Sequence, residues 1–351
     1  MQIPASSCPQ ASYYVLMTTR LDVRNLTVEL PTPSGWVRPV NEVSFVLHEA
    51  ETLGIVGESG SGKTMLSLAL MGLEPPGARR KGEAWLHERD SAADKRGINV
   101  LAASPSEMRA LRGREISMIF QEPMTALNPV MRVGAQIEEA IRVHENHPNQ
   151  NQIHSRAIQS LERAALSDPK LRARQYPHQL SGGLRQRVMI AMALAAGPGI
   201  LIADEPSTAL DVTVQKQILE LLAKLRKELG LSLLFITHDL GVVAQVASRI
   251  LVMYAGRIVE EGPTMEVLRH ARHPYTEGLL RAAPHLERGK LVPIPGTVPA
   301  LNALPPGCAF APRCPYHLTE CDAAVPDNRP ADSNHRARCI LVSCAQPMTM
   351  N

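Results

Sequence analysis

The stretch GESGSGKT, Gly57 to Thr64, constrains the fold of this chain more than any other. Gly57, Glu58, Ser59, Gly60, Ser61 and Gly62 make a backbone that can curl until consecutive N–H groups face one point, with glycines where a side chain would clash. The apolar run ETLGIVG before it reads as a strand, and KTMLSLALMGL after it reads as a helix that stops at Gly72 and Pro75. Strand, glycine loop and helix in that order cradle a di- or triphosphate between backbone N–H groups and a helix N-terminus. Gly57, Gly62, Lys63 and Thr64 satisfy the pattern G-x-x-x-x-G-K-[ST], in which Lys63 reaches the terminal phosphates, Thr64 holds magnesium and Met65 follows in the first turn.

A second element lies in ILIADEP, where an apolar strand ends on Asp204 and sets a carboxylate at the sheet edge, beside Glu205, which is placed to polarise an attacking water. Two carboxylates near a phosphate repel it unless a cation offsets them, so their adjacency supports a magnesium site. The turn LSGGLRQR, residues 180–187, caps another helix; alone it says only that an anion can bind at a helix start. Around these elements, RLDVRNLTVEL and VNEVSFVL read as antiparallel strands, residues 75–115 as a polar insertion closed by the strand REISMIF, and 131–180 as helices with loops. GILIAD and LSLLFIT are strands flanking the helix VTVQKQILELLAKLRKELG, an order that argues for a mostly parallel sheet covered on both faces.

The bulk numbers set limits. With 351 residues, 44% of them hydrophobic, the chain can bury a sizeable core over two domains. A net charge of +3 with scattered Lys and Arg calls for no nucleic-acid partner. The longest apolar run, Val188–Ala203, is broken by Gly197, Pro198 and Gly199 and is shorter than the roughly 20 residues of a membrane span. Residues 1–19 lack the basic-then-apolar order of a secretory signal and read as a disordered extension, with Met17 an alternative start; the chain is expected to stay in the cytosol.

Taken together, these motifs resemble the nucleotide-binding subunit of an ATP-binding cassette (ABC) transporter over residues 20–270, with a helical subdomain at about 131–195. The resemblance implies a P-loop α/β fold: a mostly parallel sheet core, an antiparallel β subdomain and a helical subdomain. It implies that Ser181, Gly182 and Gly183 close over the γ-phosphate held by the Lys63 loop of a second subunit. The family's usual glutamine at the fifth place of that turn is Leu184 here. By the same resemblance Gln121 of FQEP contacts magnesium and the attacking water, Asp211 of STALD organises the dimer seam, and His238 of ITHDL touches the γ-phosphate. The catalytic set is then Lys63, Gln121, Glu205 and His238, with Thr64, Gln121 and Asp204 around the magnesium. Trp36, in TPSGWVRP ahead of the loop, is the nearest candidate for stacking on adenine.

From residue 271 the texture changes, and VPIPGTVPALNALPPG brings proline at a density that ends regular structure. Cys308, Cys314, Cys321 and Cys339 lie in this tail, with Cys8 and Cys344 apart from them. A cytosolic address disfavours disulfides and leaves metal binding, although the spacing does not choose between zinc and an iron–sulfur cluster. HPYTEGLL, PIPGTVP and GCAFAPRC resemble the C-terminal extension of oligopeptide and dipeptide import ATPases, which makes 271–351 the second unit. Some members of that family carry a [4Fe-4S] cluster on four such cysteines, and the resemblance implies one here, in a structural role. It also implies ATP-driven import of di- or oligopeptides at the cytoplasmic face of the bacterial inner membrane. The expected partners are a second, different but homologous ATPase chain, two transmembrane permease subunits and, indirectly, an extracytoplasmic solute-binding protein. Nickel, glutathione or another small solute could use the same machinery. A soluble ABC ATPase is the remaining alternative, and this chain has neither the coiled coil nor the second cassette usual for one.

Overall fold

The computed structural model describes residues 18–88, 97–145, 149–208, 210–283 and 292–342, so nearly all of the expected N-terminal extension, with Cys8 and Met17, and also Cys344, lie outside the described residues. The first strands follow from their alternation of apolar residues. β1 (Thr19–Thr32) and β2 (Gly35–His48) close an antiparallel hairpin over the turn Pro33–Ser34 and bury Leu21, Val23, Val28, Val43 and Leu47. β3 (Thr52–Val56) is buried along its whole length and runs through the glycine loop into α1 (Lys63–Met71).

The stretch expected to be a polar insertion contains further structure. β4 (Arg79–Leu86) pairs antiparallel with β1 and is followed by β5 (Ile98–Asn99), giving a four-stranded sheet in the order β2-β1-β4-β5. Only Ala84 and Leu86 of β4 are buried, so its sequence lacks the alternation that would have announced it. α2 (Pro105–Leu111) starts in a reciprocal cap between Ser104 and Glu107 and leads into β6 (Ile116–Ile119).

The helical region comprises α3 (Pro123–Ala126), α4 (Val133–Arg142), α5 (Gln150–Arg163), α6 (Pro169–Ala173) and α7 (Gly182–Leu194). The chain then alternates β7 (Ile200–Asp204), α8 (Val212–Leu229), β8 (Ser232–Thr237), α9 (Leu240–Val246) and β9 (Arg249–Tyr254) before returning in β10 (Arg257–Pro263). α10 (Thr264–Arg269) and α11 (Pro274–Ala282) enter the tail. Its proline-rich part carries no strand or helix over residues 292–305, as expected. Two short strands, β11 (Arg329–Pro330) and β12 (Arg336–Ala337), nonetheless rejoin the main sheet, whose order is β11-β12-β10-β9-β3-β8-β7-β6. Strands β9, β3, β8, β7 and β6 run parallel, whereas β10 and its tail neighbours are antiparallel.

Two consequences bear on function. The ends of β3, β6, β7 and β8 lie side by side at one edge of the parallel sheet, the edge where open α/β sheets bind ligands, and place Gly57, Gln121, Asp204 and His238 there, Asp204 as the last residue of β7 and the others in the loops that follow. The tail is also held from inside: the fully buried Glu260 carboxylate accepts from the backbone N–H groups of Arg272 (2.6 Å) and His273 (3.0 Å) and lies 2.7 Å from His335 Nε2. Among the described residues no helix is long and apolar enough to cross a membrane. Because β8 is a buried central strand, replacing its fully buried Leu234 by Ala should cost about 2–5 kcal/mol and lower the urea midpoint of the core around the parallel sheet. An unchanged midpoint would contradict this placement.

Candidate functional site

The loop between β3 and α1 is shaped by contacts that only glycine permits. Gly62 has φ +102, and a Cβ there would stand 1.9 Å from the Pro39 carbonyl oxygen; at Gly57, φ +156, it would stand 2.2 Å from that of Met253. Lys63 is 5% exposed, and its ammonium donates to the carbonyls of Gly57 (2.7 Å) and Glu58 (2.9 Å) and to Ser61 Oγ (3.2 Å). Burial lowers its pKa, while the carboxylates of Glu205, Asp204 and Glu58 pull the other way. A phosphate oxygen, being ionised, would compete successfully for these donors.

Asp204 and Glu205 are adjacent but differently placed. Asp204 is buried, and neither carboxylate oxygen has a hydrogen-bond partner. Burial pushes its pKa up to about 6; the nearby Thr64 hydroxyl pulls it down without closing a hydrogen bond of normal geometry. A buried carboxylate without donors is costly, and a divalent cation shared with the hard oxygens of Thr64 and Gln121 would supply what it lacks.

Glu205 has the left-handed φ of +46 and satisfied oxygens. Its Oε2 accepts from Gln121 Nε2 (3.1 Å) and Thr208 Oγ1 (2.8 Å), and its Oε1 lies 3.1 Å from His238 Nδ1. The His238 contact is the largest influence lowering the Glu205 pKa, and the same contact raises that of His238. Four of the expected residues, Gln121, Asp204, Glu205 and His238, therefore meet beside Lys63 and Thr64. Thr208, within the stretch STALD, completes the junction; its hydroxyl three residues past Glu205 was the available signal.

The serine–glycine turn stands apart. Ser181 caps α7 by accepting from Leu184 N–H at 3.4 Å, and Asp211 caps α8 by accepting from Val214 N–H at 3.0 Å. The two caps are neighbours: a Cβ on Gly183 would stand 2.8 Å from Val214 Cγ1, and one on Gly182 3.6 Å from Leu210 Cδ2. Among the described residues, no hydrogen bond joins Ser181, Gly182 or Gly183 to residues 57–64, Asp204, Glu205 or His238.

Trp36 is 45% exposed, and the Arg79 guanidinium lies 3.9 Å over its ring, so an adenine would compete for that face. Trp36 also lines a cavity of about 370 Å³ together with Arg38, Arg257, Phe310 and Arg338, to which residues 57–65 do not contribute. In the tail, Cys321 and Cys339 are buried and Cys308 and Cys314 half-buried, all as free thiols. Burial raises the pKa of Cys308 and Cys314 and that of Cys339 to about 11, and the other cysteines add to each rise. Backbone N–H groups of Phe310, Ala311, Tyr316 and Leu341 act on these sulfurs in the opposite sense. Among the described residues no group of three or more His, Cys, Asp or Glu could hold a metal ion, so the four cysteines do not form a ready-made site of that kind.

The raised pKa of Asp204 gives a signed expectation. The folded chain takes up this proton more readily than the unfolded chain, so the Asp204 contribution favours folding at low pH and is lost as pH rises from about 4 through about 6. Replacing Asp204 by Asn should therefore stabilise the metal-free chain at pH ~8 by about 1–3 kcal/mol, with the gain fading toward pH ~4. Thermal melts of both proteins across that range check this, and an Asn variant less stable at pH ~8 would refute it.

Comparison with known proteins is consistent along the chain. A family model described as ABC transporter matches residues 40–208, and one described as oligopeptide/dipeptide transporter, C-terminal region, matches residues 259–321. A putative peptide import ATP-binding protein of Brucella melitensis is 48% identical over 91% of this chain and 96% of its own length. The dipeptide transport ATP-binding protein DppD of Bacillus subtilis is 45% identical over 92% and 94%. Among solved structures, the dimeric ATP-binding cassette MJ0796 in a post-hydrolysis state bound to ADP and Pi superposes with a TM-score of 0.61 at 28% identity, covering 70% of this chain and 98% of that one.

Proposed function

The chain belongs to the ABC transporter family, as an ATP-hydrolysing subunit of its oligopeptide/dipeptide branch, and from that premise we propose that it powers import of di- or oligopeptides across the bacterial cytoplasmic membrane as half of an ATP-bridged dimer. The observation that carries the mechanism is the Glu205 carboxylate, ionised and held between Gln121, Thr208 and His238. A carboxylate kept ionised and fixed in direction can orient a water in line with a γ-phosphate and accept its proton as the water attacks. Lys63 and His238 donate to the oxygens on which negative charge grows, and the loop N–H groups hold the phosphates in place. Thr64, Gln121 and Asp204 would hold a magnesium ion, which would supply positive charge against the phosphates.

Ser181, Gly182 and Gly183 are assigned to the nucleotide of a second subunit, which accords with their lack of hydrogen bonds to this chain's own loop. Asp211, neighbouring that turn, is assigned to the same seam. The partner is proposed to be a different homologous ATPase, with two permease subunits receiving the motion and a solute-binding protein delivering cargo. The working place is the cytoplasmic face of the inner membrane. We assign the four tail cysteines to a [4Fe-4S] cluster of structural role. What supports the reading is the resemblance of the tail and the closeness of the cysteines, since Cys308, Cys314 and Cys339 each sense other cysteines and backbone N–H groups oppose the rise that burial imposes on these three thiols; the metal would have to displace their protons.

Replacing Glu205 by Gln should leave ATP affinity within about twofold and cut turnover at least ~10²-fold in the assembled transporter; near-normal phosphate release would reject the role of Glu205. Chain purified without oxygen should contain iron and absorb in the visible, and Cys321→Ser should lose both. A colourless, iron-free wild-type protein would exclude the cluster.

A further inference from the structure

Glu58, the second residue of the glycine loop, has every polar group engaged, two of them by the tail. Its N–H donates to Tyr275 Oη (2.7 Å), its carbonyl accepts from Lys63 Nζ (2.9 Å), and its carboxylate accepts from both terminal nitrogens of Arg313 (2.7 and 3.0 Å). Arg313 is itself fixed and only 7% exposed. It donates to the Pro295 carbonyl (2.9 Å) and to Tyr254 Oη (3.3 Å), and its guanidinium lies 5.8 Å from the ring centres of Tyr254 and Phe310. Tyr254, Tyr275 and Phe310 pack on one another with centroids 4.6–5.4 Å apart, so the group that grips Glu58 is a buried aromatic cluster.

The geometry points to Arg313 and Tyr275 as positioning residues for ATP: the tail holds the phosphate loop in its binding shape through Glu58. The physical reason lies in the third contact. Lys63, which holds the Glu58 carbonyl, is also the group a phosphate recruits, so nucleotide binding removes that restraint. The N–H and the carboxylate of Glu58 remain anchored from the tail, and the loop is ordered before the ligand arrives. A bidentate pair with a buried guanidinium supports this better than a single surface contact would. The inference rests on the reading of residues 57–64 as the ATP site.

The test uses the full chain and a fluorescent ATP analogue with magnesium, alongside KM and kcat in the assembled transporter. Arg313→Met should weaken ATP binding about tenfold and raise KM in parallel, with kcat within about twofold; Glu58→Gln should do the same, and the double variant should be no weaker than either single. Tyr275→Phe, which keeps the ring and removes the acceptor, should weaken binding several-fold, and Arg313→Lys should recover part of what Met loses. A merely structural tail would instead give additive losses and a lower kcat, and that result overturns the proposal. So does wild-type affinity in both Arg313→Met and Tyr275→Phe. If Arg313→Met does not fold, Tyr275→Phe decides. Lys63→Ala separates the two levels: retained binding there defeats the ATP site itself, whereas lost binding there with wild-type affinity in the other two variants defeats only the role of the tail.

Discussion

One carboxylate sits where three connections converge. Glu205 takes hydrogen bonds from the segment after β6, through Gln121, and from its own loop, through Thr208, and it faces His238 after β8. None of these segments can shift without changing the surroundings of the same two oxygens, so the three connections are coupled through one side chain. Its neighbour, Asp204, is the opposite case, buried and without a donor. The two pKa values are driven apart, one down by His238 and one up to about 6 by burial. Two carboxylates separated in this way are suited to different work, the ionised one to facing a water, as proposed above, and the buried one to a cation.

What was legible in the sequence is what backbone chemistry forces. A loop that must pass within contact distance of the carbonyls of Pro39 and Met253 has to be glycine at its two ends, and that requirement is written at Gly57 and Gly62. The buried parallel strands are short apolar runs for the same kind of reason. β4 escaped notice because its outward residues are charged and only two of its eight are buried. β11 and β12 have two residues each and exist only because β10 offers an edge, which no local pattern can announce.

The site was legible to a similar depth. Motif spacing brings Lys63, Asp204 and His238 to one edge of the sheet, since Lys63 opens the helix after the β3 loop and Asp204 and His238 lie at the ends of β7 and β8. Partners separated by hundreds of residues leave no such mark. Arg313 reads as one more basic residue between two cysteines until its bond to Glu58 is seen, and the ring of Trp36 reads as free until Arg79 is found over it. The tail is an internal brace as much as an appendage, since buried or half-buried acceptors in the core, the carboxylates of Glu260 and Glu58, both take hydrogen bonds from donors beyond residue 271.

That brace has a consequence for how the molecule comes into being. Glu58 and Arg313 are 255 residues apart in the chain. At a synthesis rate of about 5–20 residues per second, roughly 13–50 s pass between their appearances on the ribosome. During that interval the amino-terminal core can already collapse around its parallel strands while its nucleotide loop waits for its distant anchor. On the proposal made for Arg313, the loop would reach its full hold on ATP only after the tail has left the ribosome and docked.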